Sequence, residues 1–239
     1  LAWVASRCAG LDACTRCLDA CPKGAISPGP VTRQAATGGA IRHIRIDRSI
    51  CDDCGDCAAA CTRKALYLCG TDYTVEDLLA RVLKDRPFYE ESGGGVTLSG
   101  GEPMAQPAFV LQLLERLKES GIHTALDTTG HVPYDILGET LQYTDLYLYD
   151  LKHMDSRLHQ LATGVPNTRI LENALKLAEA GGNLQIRIPV IPDFNDSDDQ
   201  IRETGLFCRS LGRAVTVVQL LPYHNLGVMK HQRIGTERV

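Results

Sequence analysis

Apolar positions in residues 74–91 recur at the spacing of one helix face, with Leu78, Leu79, Val82 and Leu83 on a common side. Thr74 and Asp77 stand in a capping-box relation at its start, so TVEDLLARVLKDRPFYEE predicts a helix. Beyond it, short apolar runs alternate with amphipathic stretches. Strands are predicted at 96–98, 122–126, 146–150, 184–190 and 214–221, and helices at 107–120, near 134–142, at 169–180 and at 197–210. Such alternation builds βα units on a parallel sheet, either a barrel or an open doubly wound sheet. Before residue 70 apolar residues are few. Residues 27–40 are rich in Gly, Pro and Thr, IRHIRID (41–47) predicts a strand, and LYL (66–68) is expected to pair with the chain after the first cysteine run.

That early region carries eight of the ten cysteines in two runs, Cys8, Cys14, Cys17, Cys21 and Cys51, Cys54, Cys57, Cys61. The second reads C-x2-C-x2-C-x3-C, and the first ends C-x2-C-x3-C-P. This is the ligand pattern of two cubane 4Fe–4S clusters, the fourth cysteine of each run serving the other cluster. Tight repeated spacing in a chain of this length favours metal over secreted disulfides. Zinc also takes thiolates, but usually from two separated pairs. Cys8 to Cys14 is C-x5-C, so Cys8 is the ligand the spacing specifies least. Cys69 and Cys208 stand alone and are expected to be buried small hydrophobes.

The remaining composition mainly excludes. In 239 residues, 44% hydrophobic and 23% charged is ordinary for a globular protein, and a net charge of −4 gives no reason to expect nucleic acid. No run of 18 apolar residues offers a membrane span, and LAWVASRC lacks the regions of a signal peptide. The chain lacks an initiator Met, which suggests a fragment or a processed product. Walker-type loops, Gly-x-Ser-x-Gly and His-Glu-x-x-His are absent, which removes support for nucleotide-phosphatase, hydrolase and zinc-protease readings.

The polar residues of interest cluster at the C-terminal ends of the predicted strands, where βα barrels build their ligand sites. Ser99-Gly100-Gly101-Glu102-Pro103 follows the first strand and Asp127-Thr128-Thr129-Gly130 the second. Asp150 closes the third, ahead of Lys152; Arg187 lies in the fourth, and His224 follows the fifth. Five strands delivering such groups to one rim point to a small-molecule site. Glu102 offers acceptors for an ammonium group, although a Gly-Gly-Glu-Pro turn by itself is more often only a loop. Asp127 and Asp150 would repel if buried together, and so need a cation, a positive side chain such as Lys152, or a raised pKa. Arg187 in an apolar strand needs a partner, and a ligand carboxylate is one option. Tyr147 and Tyr149 are expected in the core.

At GGGVTLSGGEP (93–103), DTTG (127–130), DLKHMDSRLHQLATGVPN (150–167), IRIPVIP (186–192) and LLPYHNLG (220–227), the chain resembles the glycyl-radical-enzyme activating enzymes. These are radical S-adenosylmethionine proteins such as pyruvate formate-lyase activating enzyme, and the likeness is to the branch with a ferredoxin-like insert. The resemblance implies an incomplete (β/α)6 TIM-like barrel over 71–239, here lacking its first strand, with a ferredoxin-like α+β module over 1–70. It implies that Gly100, Gly101 and Glu102 hold the methionine amino group, that Asp150, Leu151, Lys152, Arg187 and His224 line the rest of S-adenosylmethionine, and that Asp127, Thr128 and Asp150 form a monovalent-cation site. The implied activity is reductive cleavage of S-adenosylmethionine to a 5′-deoxyadenosyl radical that takes hydrogen from a glycine of a partner enzyme. An electron donor such as flavodoxin or ferredoxin and an anaerobic cytoplasm are implied with it.

The family's catalytic cluster sits on C-x3-C-x2-C, and no triplet here has that spacing: Gly24 and Lys64 occupy the positions that would complete it. The expectation is therefore a chain missing both ends, with no catalytic residue of its own, binding up to two accessory clusters and not cleaving S-adenosylmethionine. The alternatives are a non-catalytic iron–sulfur electron carrier and a radical S-adenosylmethionine enzyme with another substrate.

Overall fold

Each apolar run after residue 90 pairs with the next one along the chain. The computed structural model describes residues 1–33, 38–224 and 233–235. We number the strands β1 (Ala2–Trp3), β2 (Ile26–Arg33), β3 (Ala40–Ile46), β4 (Leu66–Tyr67), β5 (Gly95–Leu98), β6 (His123–Thr128), β7 (Leu146–Asp150), β8 (Leu184–Val190) and β9 (Val215–Pro222). The helices are α1 (Arg16–Asp19), α2 (Asp56–Ala60), α3 (Val75–Val82), α4 (Arg86–Ser92), α5 (Pro107–Glu119), α6 (Tyr134–Glu139), α7 (Ser156–Thr163), α8 (Thr168–Glu179) and α9 (Asp198–Ser210).

The described residues fall into two units, Leu1–Asp72 together with 233–235, and Tyr73–His224. In the second, β5 to β9 form one parallel sheet in sequence order. Doubly wound sheets reverse their strand order at a switch point, and none occurs here. Strand alternation sends Tyr147, Tyr149, Leu184 and Ile186 into a core shared with Leu114, Leu117 and Leu177 of the helices. Both tyrosines are fully buried, as their alternation predicts, and both hydroxyls are bonded: Tyr149 to Ile170 O at 2.6 Å and Tyr147 to Thr140 Oγ1 at 2.7 Å. At the other end of the sheet, the Asp145 carboxylate accepts from Thr124 N at 2.9 Å and pairs with Lys118. Burial pushes its pKa up, but the bonds from Lys118 and Thr124 outweigh this and hold it below the usual carboxylate range.

The structure corrects five sequence expectations. The single helix over 74–91 is broken into α3, a 3-10 turn at Leu83–Asp85 and α4, because Pro87 has no N–H to donate and its ring crowds the carbonyl four residues back. The α3 start does follow the capping pattern, Thr74 Oγ1 accepting from Asp77 N at 3.1 Å. Strand β6 runs on to Thr128, so Asp127 lies within the strand. An unforeseen helix, α7, is capped by Asp155, whose carboxylate accepts from Leu158 N at 2.9 Å. Fourthly, β4 pairs antiparallel with β1, while the chain after the first cysteine run, β2, pairs with β3. In addition, Cys208 is buried as expected but Cys69 is exposed. Among the described residues no helix is long and apolar enough to cross a membrane.

Gly130 joins β6 to the helix layer at a point where no other residue fits. Its φ is +70°, and a Cβ there would lie 1.8 Å from the Tyr149 hydroxyl. Asn173 Nδ2 donates to Gly130 O and Val132 O, both at 2.7 Å, and holds the turn against α8. Gly164 has a similar φ of +85° but open space around it. Gly130→Ala is therefore expected to destabilise the protein by about 3 kcal/mol or more, and Gly164→Ala by about 1 kcal/mol. Urea unfolding of both variants checks this, and equal losses would show that backbone strain alone is at work.

Candidate functional site

The two cysteine runs repeat at a spacing that carries their surroundings with them. Cys14 and Cys21 flank α1, which contains Cys17, as Cys54 and Cys61 flank α2, which contains Cys57. Cys21 Sγ accepts from Ala25 N at 3.3 Å and Cys61 Sγ from Ala65 N at 3.2 Å. Between each pair the chain passes through a left-handed residue, Gly24 at φ +62° and Lys64 at φ +51°. Each half thus turns its fourth sulfur back, by the same local geometry, across the interface between the halves.

That turn mixes the two cysteine runs. One cavity is lined by Cys8, Cys14, Cys17 and Cys61, and a second by Cys21, Cys51, Cys54 and Cys57. Burial pushes the Cys17 thiol up to about 11, and charge on Cys8, Cys14 and Cys61 adds to the shift. Burial likewise raises Cys57, with Cys21, Cys51 and Cys54 contributing. Thiols so placed keep their protons until positive charge compensates them, and a bound cluster supplies that charge. Among the described residues, no three His, Cys, Asp or Glu side chains gather closely enough to hold a single metal ion. Four thiolates on one zinc would each stand about 2.3 Å from it. Each cavity has four cysteines in its lining, the number a cubane takes at one thiolate per iron.

In the second unit the strand ends bring most of the sequence-predicted residues together. Register sets Asp150 directly beside Arg187. The Arg187 guanidinium reaches both neighbouring strands, donating from Nη2 to Asp127 Oδ1 at 2.6 Å and to Asp150 Oδ1 at 2.9 Å, and from Nε to Asp150 Oδ1 at 3.0 Å. Lys152 Nζ donates to Asp150 Oδ2 at 3.1 Å, and Ser99 Oγ to Asp127 Oδ2 at 2.8 Å. Burial opposes the charge on Arg187, but the bonds and charge of Asp150 and Asp127 outweigh it and raise its pKa. The partner that Arg187 needed is therefore this aspartate pair.

Partners within the chain meet these residues. All four carboxylate oxygens of Asp127 and Asp150 accept a hydrogen bond, and Arg187 and Lys152 lie against both charges. Thr128 Oγ1 donates to Glu102 at 2.8 Å and accepts from Gly130 N at 3.0 Å. The positive charge that the two aspartates need is thus supplied in part by Arg187 and Lys152. The Glu102 carboxylate has partners of its own. Its Oε1 accepts from Met104 N at 3.1 Å and from Thr128 Oγ1, and its Oε2 from Thr129 N at 2.8 Å and Thr129 Oγ1 at 2.7 Å. With about four lone-pair sites in use, Glu102 staples the turn after β5 to the turn after β6.

Gly100 and Gly101 adopt φ of +89° and +65° with open space beside them, so they are needed for the turn's shape and leave its backbone exposed. Leu151 is buried, its N–H donating to Arg187 O at 2.9 Å. His224, two residues past β9, is exposed and does not join the Asp–Arg network. Sequence reasoning missed Asn195 and Asn167. Asn195 Nδ2 donates to Lys152 O at 2.7 Å and Pro189 O at 2.8 Å, and Asn167 Nδ2 to His153 O and Met154 O. Both pin the Lys152 loop. Asn167 lay inside a motif already noted, but nothing in the sequence says where an asparagine's two donors go.

The sequence profile of the Radical SAM superfamily matches residues 57–204, and that of a 4Fe-4S dicluster domain matches residues 7–65. The isethionate sulfite-lyase activating enzyme of Nitratidesulfovibrio vulgaris is 41% identical over 99% of this chain and 74% of its own length. The choline trimethylamine-lyase activating enzyme of Oleidesulfovibrio alaskensis is 38% identical over 94% of this chain and 70% of its own. A solved domain of pyruvate-formate lyase-activating enzyme from Bacteroides vulgatus superposes with a TM-score of 0.52 at 42% identity, covering 55% of this chain and 82% of that one. This chain belongs to the radical SAM superfamily, among the activating enzymes of glycyl radical enzymes. The cofactors of the family are 4Fe–4S clusters and S-adenosylmethionine.

Replacing Arg187 with methionine would leave two carboxylates facing each other without their cation. Arg187→Met is expected to cost about 3 kcal/mol at neutral pH. Urea unfolding at low and high ionic strength checks the cause: salt should shrink the deficit by screening the two carboxylates, and a deficit that salt does not change would argue against charge repulsion.

Proposed function

We propose that this chain takes part in activating a glycyl radical enzyme through a ferredoxin-like module (1–70) that carries two accessory 4Fe–4S clusters and feeds an incomplete (β/α)6 barrel (71–239) that holds S-adenosylmethionine. The observation that carries the reading is the crossing of the thiolate sets, three cysteines of one run with the fourth of the other around each cavity. Cys8, Cys14, Cys17 and Cys61 hold one cluster, and Cys51, Cys54, Cys57 and Cys21 the other. The Ala25 and Ala65 amides, already bonded to Cys21 and Cys61, favour the anionic form of those sulfurs. When bound, the two accessory clusters would supply single electrons, and S-adenosylmethionine would supply the 5′-deoxyadenosyl radical where a C-x3-C-x2-C cluster is also present, a spacing that no cysteine triplet of this chain has.

At the rim, the residues of this chain bind and orient. The exposed backbone of Gly100 and Gly101 receives the methionine amino end, and Glu102 acts by holding that turn in shape. Arg187 has used its Nε and Nη2 donors and keeps its Nη1 edge for the ligand carboxylate. Asp127 and Asp150 fix the guanidinium plane, while Lys152, Leu151 and His224 complete the wall. A reduced one-electron carrier such as flavodoxin or ferredoxin supplies the clusters, and oxygen-sensitive chemistry of this kind suits an anaerobic cytoplasm.

Anaerobic reconstitution is expected to load about eight irons per chain, four per cubane. Cys8→Ser should lose about four of them with the Cys21–Cys51–Cys54–Cys57 cluster retained, read by iron assay and electron paramagnetic resonance. Colourless protein loaded with zinc would overturn the assignment. Lys152→Ala is expected to weaken S-adenosylmethionine binding about tenfold in calorimetry through loss of one charge at the site. Unchanged affinity would remove Lys152 from the wall.

A further inference from the structure

The first unit carries a feature that neither the clusters nor the rim requires. Residues 26–46 contain Arg33, Arg42 and Arg45 and no acid, in a chain of net charge −4. The described residues of this basic stretch include β2 and β3, which pair antiparallel. Against it lies a cavity of about 410 Å3, lined by Trp3, His43, Arg45, Arg48 and Arg233 among others and by no carboxylate among the described residues. The nearest acid along the chain, Asp47, is turned to Ser49, accepting from its N–H at 2.9 Å and its Oγ at 2.6 Å.

The wall of this cavity is short of acceptors. Four buried side-chain polar atoms lack a hydrogen-bond partner among the described residues, and three of them belong to residues lining it: Trp3 Nε1, His43 Nε2 and Arg233 Nε. Buried polar groups are nearly always satisfied, so three orphans around one basic hollow mark a place that lacks an anionic acceptor. Arg48 partly meets the need with backbone oxygens, donating to Leu1 O at 2.5 Å and Arg233 O at 3.4 Å. The lining is shared with a second cavity. Trp3 and Ile44 also line the cavity of Cys8, Cys14, Cys17 and Cys61, so the two hollows adjoin through these side chains. Trp3 is fixed there by its strand pairing to Leu66 and by an edge-on contact with the His43 ring, 5.5 Å between centroids.

We propose that this hollow is the docking point of the electron donor, an acidic one-electron carrier protein that sets a surface carboxylate among Arg45, Arg48 and Arg233. The inference rests on the cluster assignment made above. One electron leaves the donor, which is oxidised by one unit, and the cluster held by Cys8, Cys14, Cys17 and Cys61 is reduced by one; no bond is made or broken. A small anion would fill the hollow equally well, but only a redox protein makes use of the adjoining cysteine cavity, which shares Trp3 and Ile44 with it. The charge also has a kinetic use, since opposite patches speed encounter and do so most at low salt.

Stopped-flow bleaching of the anaerobically reconstituted chain by flavodoxin hydroquinone tests the proposal. Arg45→Glu is expected to slow bleaching about tenfold at low ionic strength, with the gap closing near 0.5 M salt, where the Debye length is only about 4 Å. Arg202→Glu on α9 makes the same change of net charge in the other unit and should react as the wild type does. Dithionite should bleach all three alike. If Arg45→Glu fails to take up iron, Arg45→Gln reads the same position, with a smaller slowing expected. Equal flavodoxin rates for the Arg45 and Arg202 variants, or no reduction of coloured wild-type protein by flavodoxin, would overturn the docking site alone. Protein that takes up no iron would overturn the cluster assignment and the docking site with it.

Discussion

Arg187 lies across the ends of three adjacent strands, and its bonds to Asp127 and Asp150 are the constraint on which the second unit's site depends. Parallel pairing brings β6, β7 and β8 to a common edge, and every hydrogen bond in the sheet favours keeping that register. Two carboxylates on neighbouring strands would undo this if left to themselves. The guanidinium turns their repulsion into attraction at about one-fifth exposure, where the charges are only weakly screened by water. Once the strands are held, the turns beyond them can be shaped independently. Glu102 ties the turn after β5 to the turn after β6, and Asn195 and Asn167 tie down the loop that carries Lys152.

The first unit solves a different problem. Its apolar core is small, with Ile26, Ile44, Cys57 and Leu66 at its centre. A module of that size needs staples, and clusters held as proposed by the crossed cysteine sets would be effective ones, because each would tie both halves of the repeat together. The pseudo-symmetry extends to backbone conformation: Lys64 accepts a left-handed φ where its counterpart is glycine. A strained non-glycine residue at that point suggests that returning the fourth sulfur outweighs the local cost. In the same small unit Trp3 and Ile44 line both the cavity of Cys8, Cys14, Cys17 and Cys61 and the basic hollow.

Much of this was legible before any coordinates. Strand and helix positions in the second unit followed from hydrophobic period, and the rim residues from their place after each strand. The break between α3 and α4 was also written in the chain, at Pro87, but the apolar face running through it masked the signal. The missed helix α7 has Asp155 as its cap, in a stretch whose apolar pattern is too short to stand out from a loop.

What the sequence determined by itself was chemistry and periodicity: thiolate spacing, alternation of strand and helix, and which residue types end each strand. These are local properties, set by the neighbours a residue has along the chain. Only the tertiary structure decided which groups neutralise one another. Asp127 and Arg187 are 60 positions apart, yet share a bond of 2.6 Å. Glu102 has spent its oxygens on Thr128, Thr129 and Met104, and β4 has paired with β1 and not with the strand the repeat suggested. A charged or polar side chain takes the nearest partner in space, and that distance is created by folding.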